Sequence, residues 1–60
     1  MTYVIDRITK QIKRWGYVDF ASEFIFDAIN EEVITDGIHL DPHTVWYWNS
    51  TTQEFQPTPP

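Results

Sequence analysis

A chain of 60 residues without a single cysteine has few ways to hold a fold together. A domain of this size buries only about 60% of the surface its unfolded chain exposes. Small scaffolds make up the shortfall with disulfides, a structural metal or a partner subunit. Without cysteine, disulfides and thiolate metal sites are excluded. Dense packing and self-association remain. The chain has three Trp, three Tyr and four Phe for that purpose, and aromatic side chains bury the most area per residue.

Hydrophobic spacing divides the chain into three segments. In Tyr3 to Trp15, the residues Ile5, Ile8, Ile12 and Trp15 recur at steps of 3, 4 and 3, the stripe of an amphipathic helix. Thr2 is a candidate N-cap, Asp6 and Lys10 stand at the favourable i,i+4 spacing, and Gly16 is a candidate helix stop. A second helix is expected from Phe20 to about Ile34, capped by Asp19 and closed by Asp36-Gly37. Its apolar residues, including Phe20, Phe24, Ile25, Phe26, Ile29 and Val33, span an arc wider than the stripe of about 100° that an ordinary surface helix buries. In the third segment Asp41-Pro42 signals a turn. Val45-Trp46-Tyr47-Trp48-Asn49 is rich in strand formers, and Glu54-Phe55-Gln56 offers a returning strand. Pro57 to Pro60 reads as a disordered tail beyond a single domain spanning residues 1–56.

The expected fold is therefore α+β, with two helices followed by one strand or a short hairpin. The core would draw on Ile5, Ile8, Ile12, Trp15, the apolar residues of the second helix, Trp46 and Trp48. Helix 1 alone cannot cover the wide apolar arc, so a homodimer with a shared core is expected.

Charge is segregated along the chain. Asp19, Glu23, Asp27 and Glu31 follow one another at intervals of four. On a helix they would form a ridge of carboxylates, either a solvated face or a surface offered to a basic partner. The four basic residues lie between Arg7 and Arg14, and Arg7, Lys10 and Arg14 would share a helical stripe. That stripe is expected to face carboxylates, within the chain or across a dimer, in preference to phosphates. With a net charge of -5, duplex nucleic acid is disfavoured as a partner.

Constellations for chemistry are weak. His39, Asp41 and His43 carry metal-ligating side chains, but Pro42 breaks any helical spacing of the two imidazoles, so no metal and no cofactor are expected. Nucleophilic catalysis would need Ser or Thr beside a His and a deep pocket, which 60 residues do not easily enclose, so the chain is read as a binding protein, with no enzymatic activity. No basic-then-apolar leader and no run of about 20 apolar residues is present, so no membrane association is expected. The missing cysteines fit a reducing, cytoplasmic location. Small acidic chains of this kind are frequent among phage and mobile-element accessory proteins. The functional expectation is a regulator or inhibitor acting on an unidentified protein partner. The alternative is a nucleic-acid-linked role, as a DNA mimic or a factor resembling helix-turn-helix proteins.

Overall fold

The computed structural model describes residues 1–17, 26–35 and 39–60. Among these residues there are five strands and no helix: β1 (Thr2–Asp6), β2 (Ile12–Gly16), β3 (Glu31–Thr35), β4 (Tyr47–Asn49) and β5 (Glu54–Gln56). The expectation of an α+β fold with two helices is overturned.

The reason begins in β1. Thr2-Tyr3-Val4-Ile5 is a run of β-branched and aromatic residues, which lose rotamer freedom on a helix and pack well on a pleated surface. β1 is the central strand of a sheet ordered β2-β1-β3, antiparallel to both neighbours. Thr2, Tyr3, Val4 and Ile5 are all buried. A strand covered on both faces shows no polar alternation, so its period of two is hidden in the sequence.

The register of β1 with β2 pairs Tyr3 with Trp15 and Val4 with Arg14, then slips, so that Ile5 faces Ile12. Lys13 is the extra residue of this bulge. β3 pairs without a slip, Tyr3 opposite Ile34 and Val4 opposite Val33. A second, two-stranded sheet joins β4 to β5, with Trp48 opposite Phe55. It is fastened to the first residues of β2 by a bridge between Gln11 and Tyr47 and by two backbone bonds, Ile12 N–H to Trp46 O (3.0 Å) and Trp48 N–H to Lys10 O (2.9 Å). The ring of Phe55 meets both Tyr3 (4.7 Å between centroids) and Trp48 (4.8 Å). The small sheet therefore folds over the large one against Tyr3, which with Val4 and Ile5 is fully buried.

Four turns among the described residues are built alike. Each starts with Asp or Asn, and Thr or Asn follows three residues later: Asp6-Arg-Ile-Thr9, Asp27-Ala-Ile-Asn30, Asp41-Pro-His-Thr44 and Asn49-Ser-Thr-Thr52. In every one the first side chain accepts a hydrogen bond from the backbone N–H two residues on, at 2.9 Å. Short polar side chains offer the backbone this local alternative to a ladder. In three of the turns the fifth residue also closes one helical-type ring, Lys10 onto Asp6, Glu31 onto Asp27 and Gln53 onto Asn49. Lys10 and Gln53 then take positive φ (68° and 56°), which redirects the chain into the returning strand.

These turns account for the misread helices. Asp6 and Lys10 are joined through their backbones in one isolated turn. Thr2 lies within β1 and Gly16 within β2, so neither caps a helix. Of the stripe Ile5, Ile8, Ile12 and Trp15, Ile5 is in the core and Ile12 is half-buried. Ile8 is 87% exposed and Trp15 about half exposed. In the second expected helix, Phe20, Phe24 and Ile25 lie outside the described residues. Phe26 to Asn30 forms a turn in which Ile29 is exposed, and Val33 lies half-buried in β3. Among the described residues of the expected arc, Phe26 and Ile29 lie in a turn and Val33 in a strand, so these three do not share a helical face. In the third segment, β4 and β5 supply the strand and its return.

Two substitutions separate the observed fold from the helical one. Ile5→Ala should cost about 2–5 kcal/mol, comparable to the whole stability of a domain this small, roughly 3–9 kcal/mol. Ile8→Ala should leave the melting temperature within about a degree or two of wild type. Thermal unfolding followed by near-UV circular dichroism checks both, and an equal loss in the two variants would contradict the strand assignment.

Candidate functional site

Two features of the molecule hold polar and aromatic groups in fixed places: a buried ionic cluster on β3 and an open groove along β2.

The ionic cluster is centred on Glu31, which is only 4% exposed. Its carboxylate receives both guanidinium nitrogens of Arg14 at 2.9 Å, the Lys13 ammonium at 3.0 Å and the Asp27 backbone N–H at 2.8 Å. Lys13 and Arg14 are consecutive, and side chains of consecutive strand residues ordinarily point to opposite faces. The bulge at Lys13 relaxes that rule and lets both reach one carboxylate. The other two cations also bind within the chain. Arg7 donates to the carbonyls of Glu31 (2.8 Å) and Ala28 (3.3 Å), and Lys10 approaches Glu32 at 3.6 Å.

Bonds from Arg14 and the Asp27 N–H lower the Glu31 pKa to about 2, against 4.5 for a free glutamate. Asp6 and Asp27 are also lowered, Asp6 by the backbone N–H groups of its turn and Asp27 first by the Asn30 side chain.

The expected sites are redistributed accordingly. Asp19 and Glu23 lie outside the described residues. Asp27 holds a turn and Glu31 is buried under Arg14 and Lys13, so these two do not stand on one helical face. Arg7, Lys10 and Arg14 occupy a turn, its left-handed position and a strand, and all three contact the segment from Ala28 to Glu32. Asp41, between the two His of the third segment, accepts bonds from the His43 N–H and the Thr44 hydroxyl, while His39 lies against Tyr17 with ring centroids 6.0 Å apart. The described residues contain no group of three or more metal-ligating side chains placed to share an ion. No helix among them is long and apolar enough to cross a membrane.

The groove has a volume of about 700 Å³, within the roughly 300–1,000 Å³ range of ligand pockets. It arises because segment 39–46 is tied to β2 at Ile12, through the Trp46 carbonyl, and then runs beside the rest of that strand without pairing to it. The Tyr17–His39 contact lies at the far end. Trp15, Tyr17 and Val45 border the opening and Tyr3 forms part of its floor. The Trp46 indole N–H donates to the Asp41 carbonyl (3.0 Å), which fixes its ring at the wall. Along this opening, the outer edge of β2 from Lys13 to Gly16 has no strand partner among the described residues. Sequence reasoning missed Tyr17 and Val45 as site residues. The available signal was the i,i+2 spacing of Trp15 and Tyr17, which puts both rings on one face of an extended chain.

No family model matches the chain, and no curated protein or solved structure matches it.

The ionic cluster makes a prediction about acid. A folded-state pKa below the unfolded one stabilises the fold at pH values above the unfolded pKa. That stability is lost as the carboxylate takes up its proton. For Glu31 the loss falls as pH drops from about 4.5 towards about 2. Asp6 and Asp27 add to it in the lower part of that window. Glu31→Gln should melt lower than wild type at pH 7, and the gap between the two should close as pH falls through this range. Melting temperatures of both proteins from pH 7 to pH 2 check this, and a constant gap would contradict it.

Proposed function

We propose that this protein is a small binding module, a regulator or inhibitor that acts by seating an extended segment of a basic protein partner in the groove along β2. The observation that carries the reading is the groove bordered by Trp15, Tyr17 and Val45, along which β2 has no strand partner on its outer side among the described residues. An exposed strand edge offers main-chain hydrogen bonds, and flanking pockets sort the side chains of an added strand. Trp15, Tyr17 and Trp46 provide aromatic surface there. Such faces also attract Lys and Arg side chains.

The overall charge supports a basic partner, and the two cations that line the groove, Lys13 and Arg14, are both paired with Glu31. Arg7, Lys10, Lys13 and Arg14 are the only Lys and Arg of the chain, and each has a contact within it. They lie among Asp6, Asp27, Glu31 and Glu32. The net charge of -5 is therefore carried by Asp19, Glu23, Asp36, Asp41 and Glu54. Complementary charge raises the encounter rate with a cationic partner and opposes polyanions. The same distribution weighs against duplex DNA, because the basic residues are already engaged. A cytoplasmic setting suits a chain whose packing relies on no disulfide.

The test uses labelled decapeptides with alternating aliphatic positions and either Lys/Arg or Asp/Glu between them. The basic set should quench the fluorescence of Trp15 and Trp46, with an affinity that falls as salt rises from 50 to about 500 mM. Trp15→Ala should weaken binding at least tenfold, about 1.4 kcal/mol. Equal binding of both sets, or none by either, would reject the reading.

A further inference from the structure

Charged side chains are distributed unevenly along the groove. Lys13 and Arg14 lie towards its Ile12 end, and both pair with Glu31. Asp41 lies towards the other end, with Trp15 and Tyr17. Contacts at the two ends fix how the walls face each other. At one end Gln11 bridges Tyr47 in antiparallel fashion and the Ile12 N–H meets the Trp46 carbonyl. At the other, Tyr17 meets His39. Segment 39–46 therefore runs antiparallel to β2. Trp15 stands two residues inward from Tyr17, and Asp41 two residues inward from His39. The walls thus bring Trp15 and Asp41 to the same level of the groove. The bond from the Trp46 indole N–H to the Asp41 carbonyl carries a second indole to that level.

Asp41 is equipped to take a cation there. Its carboxylate accepts one bond on each oxygen, Oδ1 from the His43 N–H (2.9 Å) and Oδ2 from the Thr44 hydroxyl (3.1 Å). These bonds hold the group in a fixed place, and Thr44 lines the groove as Asp41 does. An ionised carboxylate has about four acceptor positions, so each oxygen keeps room for a further donor. Among the described residues Glu31 and Glu32 are paired with cations and Asp41 is not. Trp15 is about half exposed and makes no ring contact among the described residues, which leaves an indole face open.

Two available carboxylate oxygens beside indole rings match a guanidinium better than an ammonium. A guanidinium is planar, stacks on aromatic faces and donates two parallel N–H bonds to one carboxylate. An ammonium is a compact, strongly hydrated point charge that gains less from such a setting. We infer that this end of the groove is an arginine-reading subsite, in which Asp41 takes the guanidinium fork and Trp15 and Trp46 border its plane. The inference rests on the reading of the groove as the seat of a basic segment. It narrows the partner to one with an arginine at a set position. Net charge steers lysine and arginine alike, so a preference between them has to come from a shaped contact.

Fluorescence anisotropy with labelled decapeptides tests the inference. Each peptide alternates aliphatic residues with one other type: arginine, lysine, neutral citrulline or glutamate. Wild type should bind the arginine peptide at least about tenfold tighter than the lysine peptide, and citrulline more weakly than either. Asp41→Asn should cut the arginine advantage to below about threefold. An Asn already leads the equivalent turn at Asn49, where it accepts from the Thr51 and Thr52 N–H groups. Asp41→Asn should therefore keep its turn and melt close to wild type. Should it melt lower, Trp15→Leu, at a half-exposed position, takes its place with the same narrowing expected. Equal binding of the arginine and lysine peptides by wild type, or an arginine advantage that survives in the variant, would overturn the inference. Preference for both basic peptides over glutamate would in that event leave the partner reading standing. Failure of wild type to bind either basic peptide would remove both.

Discussion

The Glu31 carboxylate is the contact on which the arrangement of this sheet depends. β2 and β3 do not pair with each other, since β1 lies between them. Arg14 and Lys13 reach from β2 to Glu31 on β3 and tie the two outer strands together over β1. The Asp27 N–H completes the set and fixes the turn that leads into β3. Removing one partner of such a buried pair leaves an uncompensated charge, which costs more than the pair itself contributes. Arg14 and Lys13 are partly open to water, and that exposure moderates the cost. The bulge at Lys13 is the geometric condition for the whole cluster, because it alone brings two consecutive cations to one face.

This clamp also sets the electrostatic character of the molecule. It draws Lys13 and Arg14 into the body of the chain, while Arg7 and Lys10 bind close by. The groove forms where segment 39–46 stands off the same strand that carries Arg14. One strand therefore anchors the fold with one set of side chains and, among the described residues, borders the groove with no strand paired on its outer side. Edges of this kind are usually shielded in natural sheets by charge, proline or a covering segment. Here, among the described residues, the shield is partial and its border is aromatic.

Part of this was legible in the sequence. The C-terminal strand and its return were, because Trp46-Tyr47-Trp48 is dense in strand formers and a polar turn follows it. The first two strands were not. β1 is buried on both faces and lacks alternation. The turn at Arg7 to Lys10 placed Ile8 between Ile5 and Ile12 at spacings that imitate a helical stripe. The same deception operated around Asp27 and Glu31, whose four-residue spacing came from a single closed turn leading into a strand. The fourfold recurrence of Asp or Asn followed three residues later by Thr or Asn was the available signal of short turns. At the site, the charge pattern drew attention to Arg14 and Glu31 as members of a basic stripe and an acidic ridge. It could not reveal their contact, which depends on a bulge that sequence spacing does not encode. Tyr17 was passed over because it was assigned to a connection between helices.

A double-mutant cycle on Arg14→Met and Glu31→Gln tests the central claim most directly, with the stability of the four proteins measured by urea unfolding at pH 7. A buried, two-pronged pair across a central strand should give a coupling energy of about 1.5–3 kcal/mol. A coupling below about 0.5 kcal/mol, the size found for exposed ion pairs, would show that Glu31 is not the anchor of this sheet.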